Sequence, residues 1–274
     1  MADWRLDEEY ASPSGVVRWA CVGQGPPVVL LHGTPFSSYI WRHVTAALSD
    51  RYRCYVWDMA GYGASQKSEG QDVSLAAQQE VFTGLMREWG LREPAVIAHD
   101  FGGAVALRSA VFDGMQYGRL ALLDTVALRP WGTGFFRLAR EHPEAFASLP
   151  AHLHEALVRA HVGTASHKGL DEETADALVL PWLGEAGQQA FYRQAALNDE
   201  RFTRELEDRL GELHLPTLIV WGREDEWLPI DHAERLKACI PHARVQVLDG
   251  AGHLVQEDAP SRLCGLLADF LRDS

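Results

Sequence analysis

An aspartate at a sharp junction between a strand and a helix is the first residue in this chain that could do chemistry. In the segment VIAHDFGGAVAL, residues 96–107, an apolar run ends at Asp100 and a helical pattern begins directly after it. Ala98 and Gly102 lie two residues before and two after, which is the spacing of a G-x-S-x-G nucleophile elbow with aspartate in place of serine. The alternative interpretation is that Asp100 caps the helix, a position that aspartate favours.

Two more residues complete a predicted catalytic set with Asp100. Asp225 follows the apolar run PTLIVWG at 216–222, and His253 follows the last apolar run of the chain. Nucleophile, acid and histidine thus occur in that order, each just past the carboxyl end of a predicted strand. We therefore predict that Asp225 orients His253. Asp124, which ends the run RLALLD at 119–124, is the alternative acid.

The segment LLHGTPFSSYIWRHV, residues 30–44, indicates where a developing oxyanion would be bound. His32 and Gly33 end a predicted strand, and Thr34 follows them. The backbone N–H of Thr34 can join that of Phe101 to form an oxyanion hole. The alternative interpretation is an ordinary turn after a strand.

An aspartate nucleophile predicts a two-step reaction. A carboxylate is already ionised at neutral pH, so it needs no activating base to attack an electrophilic sp³ carbon. The product is an ester between substrate and enzyme, and a histidine can then activate the water that cleaves it. His253 would act only in this second step.

The elements that must position these residues follow an alternating pattern. Short apolar runs separated by helical stretches predict a parallel sheet covered on both faces. A more alternating run at 16–23 predicts an antiparallel edge strand. The predicted buried strands are 26–33, 53–58, 94–100, 119–124, 216–222 and 243–248, and the predicted helices include 74–89, 103–112, 231–239 and 260–271.

One interval interrupts the alternation. Between Pro130 and His214 there is helical pattern without a convincing strand, and we interpret it as a helical cap over the carboxyl ends of the strands. A second independent domain is the alternative. The predicted division is a core of residues 1–129 and 215–274 with a cap of residues 130–214.

Composition excludes several classes of function. The formal charge of −13 and the pI of about 5.3 argue against binding to nucleic acid. The apolar runs are far shorter than the roughly 20 residues that cross a bilayer, and the first residues lack the features of a signal peptide. The four cysteines form no C-x-x-C pair and the twelve histidines show no metal-binding spacing. We therefore expect a cytoplasmic protein without metal or cofactor.

These motifs resemble those of the α/β-hydrolase superfamily along nearly the whole chain. The segment DMAGYGAS, residues 58–65, is similar to the D-x-x-G-x-G-x-S turn of that family. The resemblance implies an α/β fold with a mostly parallel eight-stranded sheet, flanking helices and a helical cap inserted after strand 6. An aspartate at the elbow is similar to haloalkane dehalogenases, epoxide hydrolases and fluoroacetate dehalogenases. The segment HGTPFSSYIWR looks most like the haloalkane dehalogenase pattern H-G-N-P-T-S-S-Y-x-W-R.

The chain departs from each of these subfamilies in the groups that would stabilise a leaving atom. Thr34 and Phe101 stand where haloalkane dehalogenases usually carry a halide-binding Asn and Trp. Trp131 or Trp182 is the candidate substitute, with packing of the cap as the alternative role. Epoxide hydrolases normally use two cap tyrosines, whereas the predicted cap contains only Tyr192.

Several functions follow from the resemblance. The first is haloalkane dehalogenase-like hydrolysis of a carbon–halogen bond in a small apolar organic substrate, and the second is epoxide hydrolysis. Ester or lactone hydrolysis and a non-hydrolytic or binding function are further alternatives. Fluoroacetate dehalogenases carry D-R-x-x-R, and Phe101 and Ala104 at the two arginine positions disfavour that subgroup.

Overall fold

The core of the protein is one eight-stranded sheet, seen in a computed structural model that describes residues 4–272. The strands follow the order β1-β2-β4-β3-β5-β6-β7-β8. β2 is antiparallel to β1 and β4, and all other neighbours are parallel. The strands are β1 (Glu8–Ser12), β2 (Gly15–Val22), β3 (Pro27–Leu31), β4 (Arg53–Trp57), β5 (Ala95–His99), β6 (Arg119–Leu123), β7 (Thr217–Gly222) and β8 (Arg244–Leu248).

Twelve α-helices accompany the sheet within the described residues. α1 packs against α12, and α2 packs against α3. The helices are α1 (Arg42–Leu48), α2 (Leu75–Glu88), α3 (Phe101–Asp113), α4 (Gly134–Glu141), α5 (Pro143–Ala147), α6 (Ala151–Gly163), α7 (Glu172–Val179), α8 (Gly184–Leu197), α9 (Arg201–Glu207), α10 (Asp231–Cys239), α11 (Val255–Asp258) and α12 (Pro260–Arg272). The predicted fold class is confirmed, as are all the predicted strands and helices to within a few residues.

The central strands are buried because helices cover them on both faces. All six residues of β7 are buried, and so are four of the five residues of each of β5 and β6. β8 lies at the edge of the sheet, and its side chains alternate between exposed and more buried positions. These differences explain why β5, β6 and β7 read as continuous apolar runs in the sequence.

The prediction for the antiparallel side of the sheet was partly wrong. β2 is antiparallel as expected, but β1 pairs with its outer side, so β2 is not the edge strand. β1 has the sequence EEYAS and is largely exposed. Charged residues are common on edge strands because they discourage pairing with other chains, and they also remove the apolar pattern by which a strand is recognised.

The helices α4 to α9 lie between β6 and β7, so the insertion predicted after the sixth strand is present. α8 packs against α4 and α5, and α6 packs against α7. The limits of this insertion as a separate domain stay a prediction.

The register of the sheet brings several strand ends to one edge. His99 pairs with Leu123, and Leu123 pairs with Val220, so the residues that follow β5, β6 and β7 lie side by side. Asp100, Asp124 and Asp225 are among them. None of the described helices is long and apolar enough to cross a membrane.

Candidate active site

Asp100 occupies a strained turn between β5 and α3. Its backbone has φ 51° and ψ −119°, a conformation that side chains with a Cβ rarely adopt. The turn requires a small residue beside it, because a Cβ at Gly102 would lie 2.5 Å from the carbonyl oxygens of Leu31 and His32. A Cβ at Gly33 would lie 2.3 Å from the Asp100 Cβ. Such strain is often found where a reactive side chain must be held in one place.

The two carboxylate oxygens of Asp100 have different surroundings. Oδ1 accepts a hydrogen bond of 2.7 Å from the backbone N–H of Thr34. Oδ2 lies 3.5 Å from Nε2 of His253. Phe101 is the first residue of α3, so its N–H has no acceptor within the helix. The structure therefore places Thr34 and Phe101, the residues predicted for the oxyanion hole, next to the carboxylate.

Asp225 holds the other side of the His253 ring. Its Oδ2 lies 2.9 Å from His253 Nδ1, while its Oδ1 accepts hydrogen bonds from the backbone N–H groups of Trp227 and Leu228. Burial alone would lower the pKa of His253, but Asp225 and Asp100 outweigh that effect and raise it well above its ordinary value. His253 thus bridges two carboxylates, with Nδ1 toward Asp225 and Nε2 toward Asp100.

Asp124, the alternative acid, does not contact the histidine ring through a hydrogen bond. Its Oδ1 accepts a hydrogen bond of 2.7 Å from the backbone N–H of Gly222, and its carboxyl group contacts that of Asp225. Burial, and then the charge of Asp225, raise the pKa of Asp124 well above its ordinary value. The structure therefore pairs His253 with Asp225.

The aromatic rings of Phe36, His99 and Trp227 pack around that of His253, at centroid distances of 6.1, 4.8 and 4.9 Å, and the sequence motifs assigned them no role. Trp227 also stacks on the ring of His161, at a centroid distance of 4.5 Å. His99 Nε2 lies 2.9 Å from the backbone oxygen of His253. Burial, and then the charge of His253, lower the pKa values of both His99 and His161 to about 3. Only the position of His99 directly before the elbow gave a signal in the sequence.

A small cavity of about 30 Å³ adjoins Asp100. Its walls come from the carboxyl edge of the sheet and from the helical insertion, and they are mostly apolar. Polar side chains in the wall are those of Thr34, Thr133 and Asn198, besides Asp100 itself. The residues that line it are Thr34, Asp100, Phe101, Val126, Trp131, Gly132, Thr133, Phe136, Asn198, Trp227 and Leu228.

The aromatic residues predicted to contact substrate have their polar atoms bound to protein partners. Trp131 lines the cavity, but its indole N–H donates to Thr203 Oγ1 at 2.8 Å. Within residues 4–272, Trp182 and Tyr192 are not among the residues that line this cavity. The Trp182 indole donates to a backbone oxygen at 2.6 Å, and the Tyr192 hydroxyl pairs with His154 at 2.9 Å. The sequence did not point to Asn198, because its place in the wall depends on how α8 packs.

The Thr34 hydroxyl is turned toward the helical insertion. It donates a hydrogen bond of 2.7 Å to Gln194 Oε1, and the Tyr62 hydroxyl lies 3.2 Å from both oxygens. Asn198 Nδ2 approaches the same oxygen at 3.4 Å, a long contact that leaves its second N–H free for another acceptor. The side chain that replaces the halide-binding Asn of the dehalogenase pattern is therefore engaged within the protein.

Comparison with known proteins identifies the family. The family model described as the alpha/beta hydrolase fold matches residues 26–260. The chain belongs to the α/β hydrolase family. Because that match includes the elbow, Asp225 and His253, this family relationship covers the whole candidate site.

Two of three similar proteins are named for activities, and those two activities differ. Haloalkane dehalogenase 2 of Mycobacterium tuberculosis is 27% identical over 95% of this chain and 93% of its own length. The cis-3-alkyl-4-alkyloxetan-2-one decarboxylase of Xanthomonas campestris is 28% identical over 90% of this chain and 88% of its own length. The crystal structure of an α/β hydrolase fold protein from Burkholderia ambifaria is 39% identical, with a TM-score of 0.94 over 97% of this chain and 98% of that one. This α/β hydrolase thus resembles enzymes that are named for different reactions.

Proposed function

We propose that this α/β hydrolase uses Asp100 as a nucleophile on an electrophilic carbon of a small apolar molecule, with carbon–halogen hydrolysis of the haloalkane dehalogenase type as its reaction. The observation that carries this proposal is that the two oxygens of the Asp100 carboxylate have different partners. Oδ1 is bound by the Thr34 N–H and Oδ2 faces His253, so one oxygen is already in an oxyanion hole while the other is free to attack.

In the first step, Oδ2 of Asp100 attacks the carbon and the carbon–halogen bond breaks. The electron pair of that bond leaves with the halide, and the carbon is bound as an ester of Asp100. Oδ1 becomes the carbonyl oxygen of this ester, and it keeps its hydrogen bond from Thr34. The oxyanion hole is therefore formed before the reaction begins and needs no rearrangement.

In the second step, Nε2 of His253 takes a proton from water, and the hydroxide attacks Cγ of Asp100. The negative charge passes to Oδ1, where the N–H groups of Thr34 and Phe101 stabilise it. The bond between Cγ and the original Oδ2 then breaks, the alcohol leaves with that oxygen and takes the proton from His253. Asp225 holds Nδ1 and stabilises the imidazolium that forms in between.

Formation of the ester also prepares the histidine for its role as a base. Asp100 is one of the two carboxylates that raise the pKa of His253. The ester carries no charge, so that contribution is removed and the pKa of His253 falls after the first step. Neutral His253, the form that accepts a proton, is favoured only once there is an ester to cleave.

The proposed reaction is tested by trapping the ester. The variant His253→Gln is expected to complete the first step with short 1-haloalkanes and to stop there, because no base activates the water. Intact-protein mass spectrometry should then show the mass of the alkyl group, located on Asp100 by peptide mapping. The double variant Asp100→Asn, His253→Gln is the matched control and should remain unlabelled.

An isotope experiment tests the same mechanism in the unaltered protein. A single turnover in H₂¹⁸O should place ¹⁸O in the carboxylate of Asp100 and none in the alcohol, because the water attacks Cγ. If the label enters the alcohol while Asp100 stays unlabelled, water attacks the substrate directly and the covalent mechanism is wrong.

A second candidate is the opening of a lactone ring by the same nucleophile. The cavity wall has no indole N–H or phenol, among the described residues, that is free to bind a departing halide. A lactone keeps its leaving carboxylate attached, and the relative from Xanthomonas campestris is named for an oxetan-2-one, a four-membered lactone. Halide release and loss of an oxetan-2-one, measured side by side, separate the two reactions.

No specific observation favours epoxide hydrolysis. The Tyr192 hydroxyl is bound to His154, and the Tyr62 hydroxyl is bound in the contact with Thr34. We therefore expect no turnover in an epoxide-opening assay, which serves as the negative control beside the other two substrates. The cytoplasmic location expected from the sequence stays a prediction.

A further inference from the structure

The carboxyl group of Asp124 is buried beside the catalytic set, and neither step of the proposed reaction uses it. Asp124 is fully buried at the end of β6, with a backbone φ of 40°. Its Oδ1 accepts the N–H of Gly222, while no donor from residues 4–272 reaches its Oδ2. A buried carboxylate oxygen without a donor is costly, so the protonation of this group needs a physical explanation.

The hydrogen bonds of Asp225 leave one acceptor position open. An ionised carboxylate has about four lone-pair sites, two on each oxygen. On Oδ1, the N–H groups of Trp227 and Leu228 occupy both. On Oδ2, His253 Nδ1 occupies one, at 2.9 Å. One site on Oδ2 is therefore free to accept a hydrogen bond.

Asp124 and Asp225 follow the neighbouring strands β6 and β7, and the Asp225 carboxyl group acts on that of Asp124 through its charge and at hydrogen-bonding range. Two ionised carboxylates side by side would repel each other in this buried region, and neither would have a donor for the other. A single proton between them removes the repulsion. It also gives a hydrogen-bond partner to Asp124 Oδ2 and to the free acceptor site on Asp225 Oδ2. It turns the unpartnered Oδ2 of Asp124 into a donor, and it gives Asp225 its fourth hydrogen bond.

We infer that Asp124 is a neutral carboxylic acid whose Oδ2–H donates to Oδ2 of Asp225, which makes Asp124 a positioning residue for the acid that orients His253. The Gly222 N–H fixes one end of Asp124, and the donated proton fixes Asp225 at the other. Asp225 is then held by four donors from three elements of the structure, so its orientation toward His253 is determined.

The surrounding charges agree with this assignment. Burial and the charge of Asp225 both raise the pKa of Asp124, and the nearby His253 lowers it by less. These two residues and the Gly222 N–H are the groups that act on Asp124. A neutral Asp124 leaves the buried set with the carboxylates of Asp100 and Asp225 around one histidine.

Infrared spectroscopy tests this inference without any substrate. A protonated carboxylic acid has a carbonyl-stretch band separate from the bands of carboxylates and amides. The unaltered protein should show this band at pH 7, and Asp124→Asn should lack it. Asp113→Asn is the matched control, because Asp113 is an exposed carboxylate that accepts a hydrogen bond from Thr83, and the band should remain there. A protein without the band at pH 7 would overturn the inference.

A pair of substitutions tests the positioning role. An Asn side chain at 124 can still accept from Gly222 through its oxygen and donate to Asp225 through its amide, so Asp124→Asn should retain ester hydrolysis within about threefold. Asp124→Leu fills the space but leaves Asp225 and Gly222 each without a partner, and we expect a loss of about tenfold or more. If the Asn and Leu variants lose the same activity, the hydrogen bond is not what matters.

The two readouts distinguish this inference from the proposed function. The infrared band depends only on the protonation of Asp124, so it can be present whether or not Asp100 forms an ester. Loss of the trapped ester would refute the proposed function and leave the band unchanged. Should Asp124→Leu fail to fold, the infrared comparison of the unaltered protein with Asp124→Asn still decides the assignment.

Discussion

The carboxyl edge of the sheet and the helical insertion meet at the cavity, and they contribute very different walls. On the sheet side, backbone N–H groups hold the carboxylates, from the Thr34 N–H on Asp100 to the two N–H groups on Asp225. On the insertion side, the wall is mostly apolar, and the indole N–H group of Trp131 is bound to Thr203.

This difference indicates that one part of the site determines the chemistry and another part determines which substrates are accepted. In the proposed reaction, the sheet side supplies what the ester intermediate requires, namely a nucleophile, a base and an oxyanion hole. The insertion side decides which leaving group is tolerated and how large the substrate is. Substitutions on the sheet side should therefore abolish the chemistry, while those on the insertion side should change its rate with particular substrates.

The largest effect is expected from Asp100→Asn. The amide cannot displace a leaving group, so kcat should fall on the order of 10⁴-fold or more. Steady-state kinetics measure the loss, and thermal unfolding confirms that the variant is folded. A folded variant that retains more than about a hundredth of the activity would show that Asp100 is not the nucleophile.

Much of this sheet side follows from sequence alone. The positions of Asp100, Asp225 and His253, each after a predicted strand, predicted that their side chains lie close together. Parallel strands bring their carboxyl ends to one edge of the sheet, and the register of the strands determines which residues there are neighbours. The sequence favoured Asp225 and kept Asp124 as the alternative acid. Both follow neighbouring strands, and only the turn after β7, which sets the direction of the Asp225 side chain, brings it to His253 Nδ1.

The wall on the insertion side was much harder to predict. Helical patterns gave the insertion but not the packing of α8 against α4, which brings Asn198 into the cavity wall. Trp131, a predicted substrate contact, lines the cavity, yet nothing in the sequence showed that Thr203 takes its N–H. Contacts between residues 72 positions apart depend on tertiary packing that local periodicity does not encode.

The next largest effect is expected from Gly33→Ala. The added Cβ would lie 2.3 Å from the Asp100 Cβ, so the nucleophile must shift, and a misplacement of about 1 Å costs about 10²-fold in rate. The matched control is Gly265→Ala in α12, where no atom lies within 4 Å of the new Cβ. Unchanged kcat in a folded Gly33→Ala variant would mean that the elbow is not held as tightly as the structure indicates.

On the insertion side, Asn198→Ala should have a smaller and more selective effect. Asn198 carries the one side-chain amide among the described residues that line the cavity, and its second N–H is available to a departing anion. We expect halide release to slow by about tenfold, while hydrolysis of the ester, which follows that departure, is unchanged. Rapid-quench measurements of both steps provide the test.

Asn198→Asp is the companion variant to Asn198→Ala. A carboxylate in the wall repels the leaving halide, so this variant should lose more than the alanine variant does. An equal loss in ester formation and ester hydrolysis would place Asn198 on the catalytic side of the comparison instead.

The smallest effect is expected from substitution of Trp227. This residue is part of the cavity wall and also stacks on His253. Its ring stacks on the imidazole of His161, whose pKa of about 3 keeps it neutral at pH 7, and on the ring of His253. An imidazolium over an indole face gains about 0.5 to 2 kcal/mol, so Trp227 stabilises the protonated form of His253.

Replacement of Trp227 by Leu removes this stabilisation and therefore lowers the pKa of His253. Ester hydrolysis requires neutral His253, so its rate is lost as pH falls below that pKa. A lower pKa therefore moves the acid limb of ester hydrolysis to lower pH in Trp227→Leu. Trp227→Phe keeps an aromatic face and should show a smaller shift in the same direction. A shift of the acid limb to higher pH would contradict this role. It would mean that the ring acts on His253 by excluding water, since added solvent would stabilise the imidazolium. Trp227 would then serve only as part of the wall that contacts substrate.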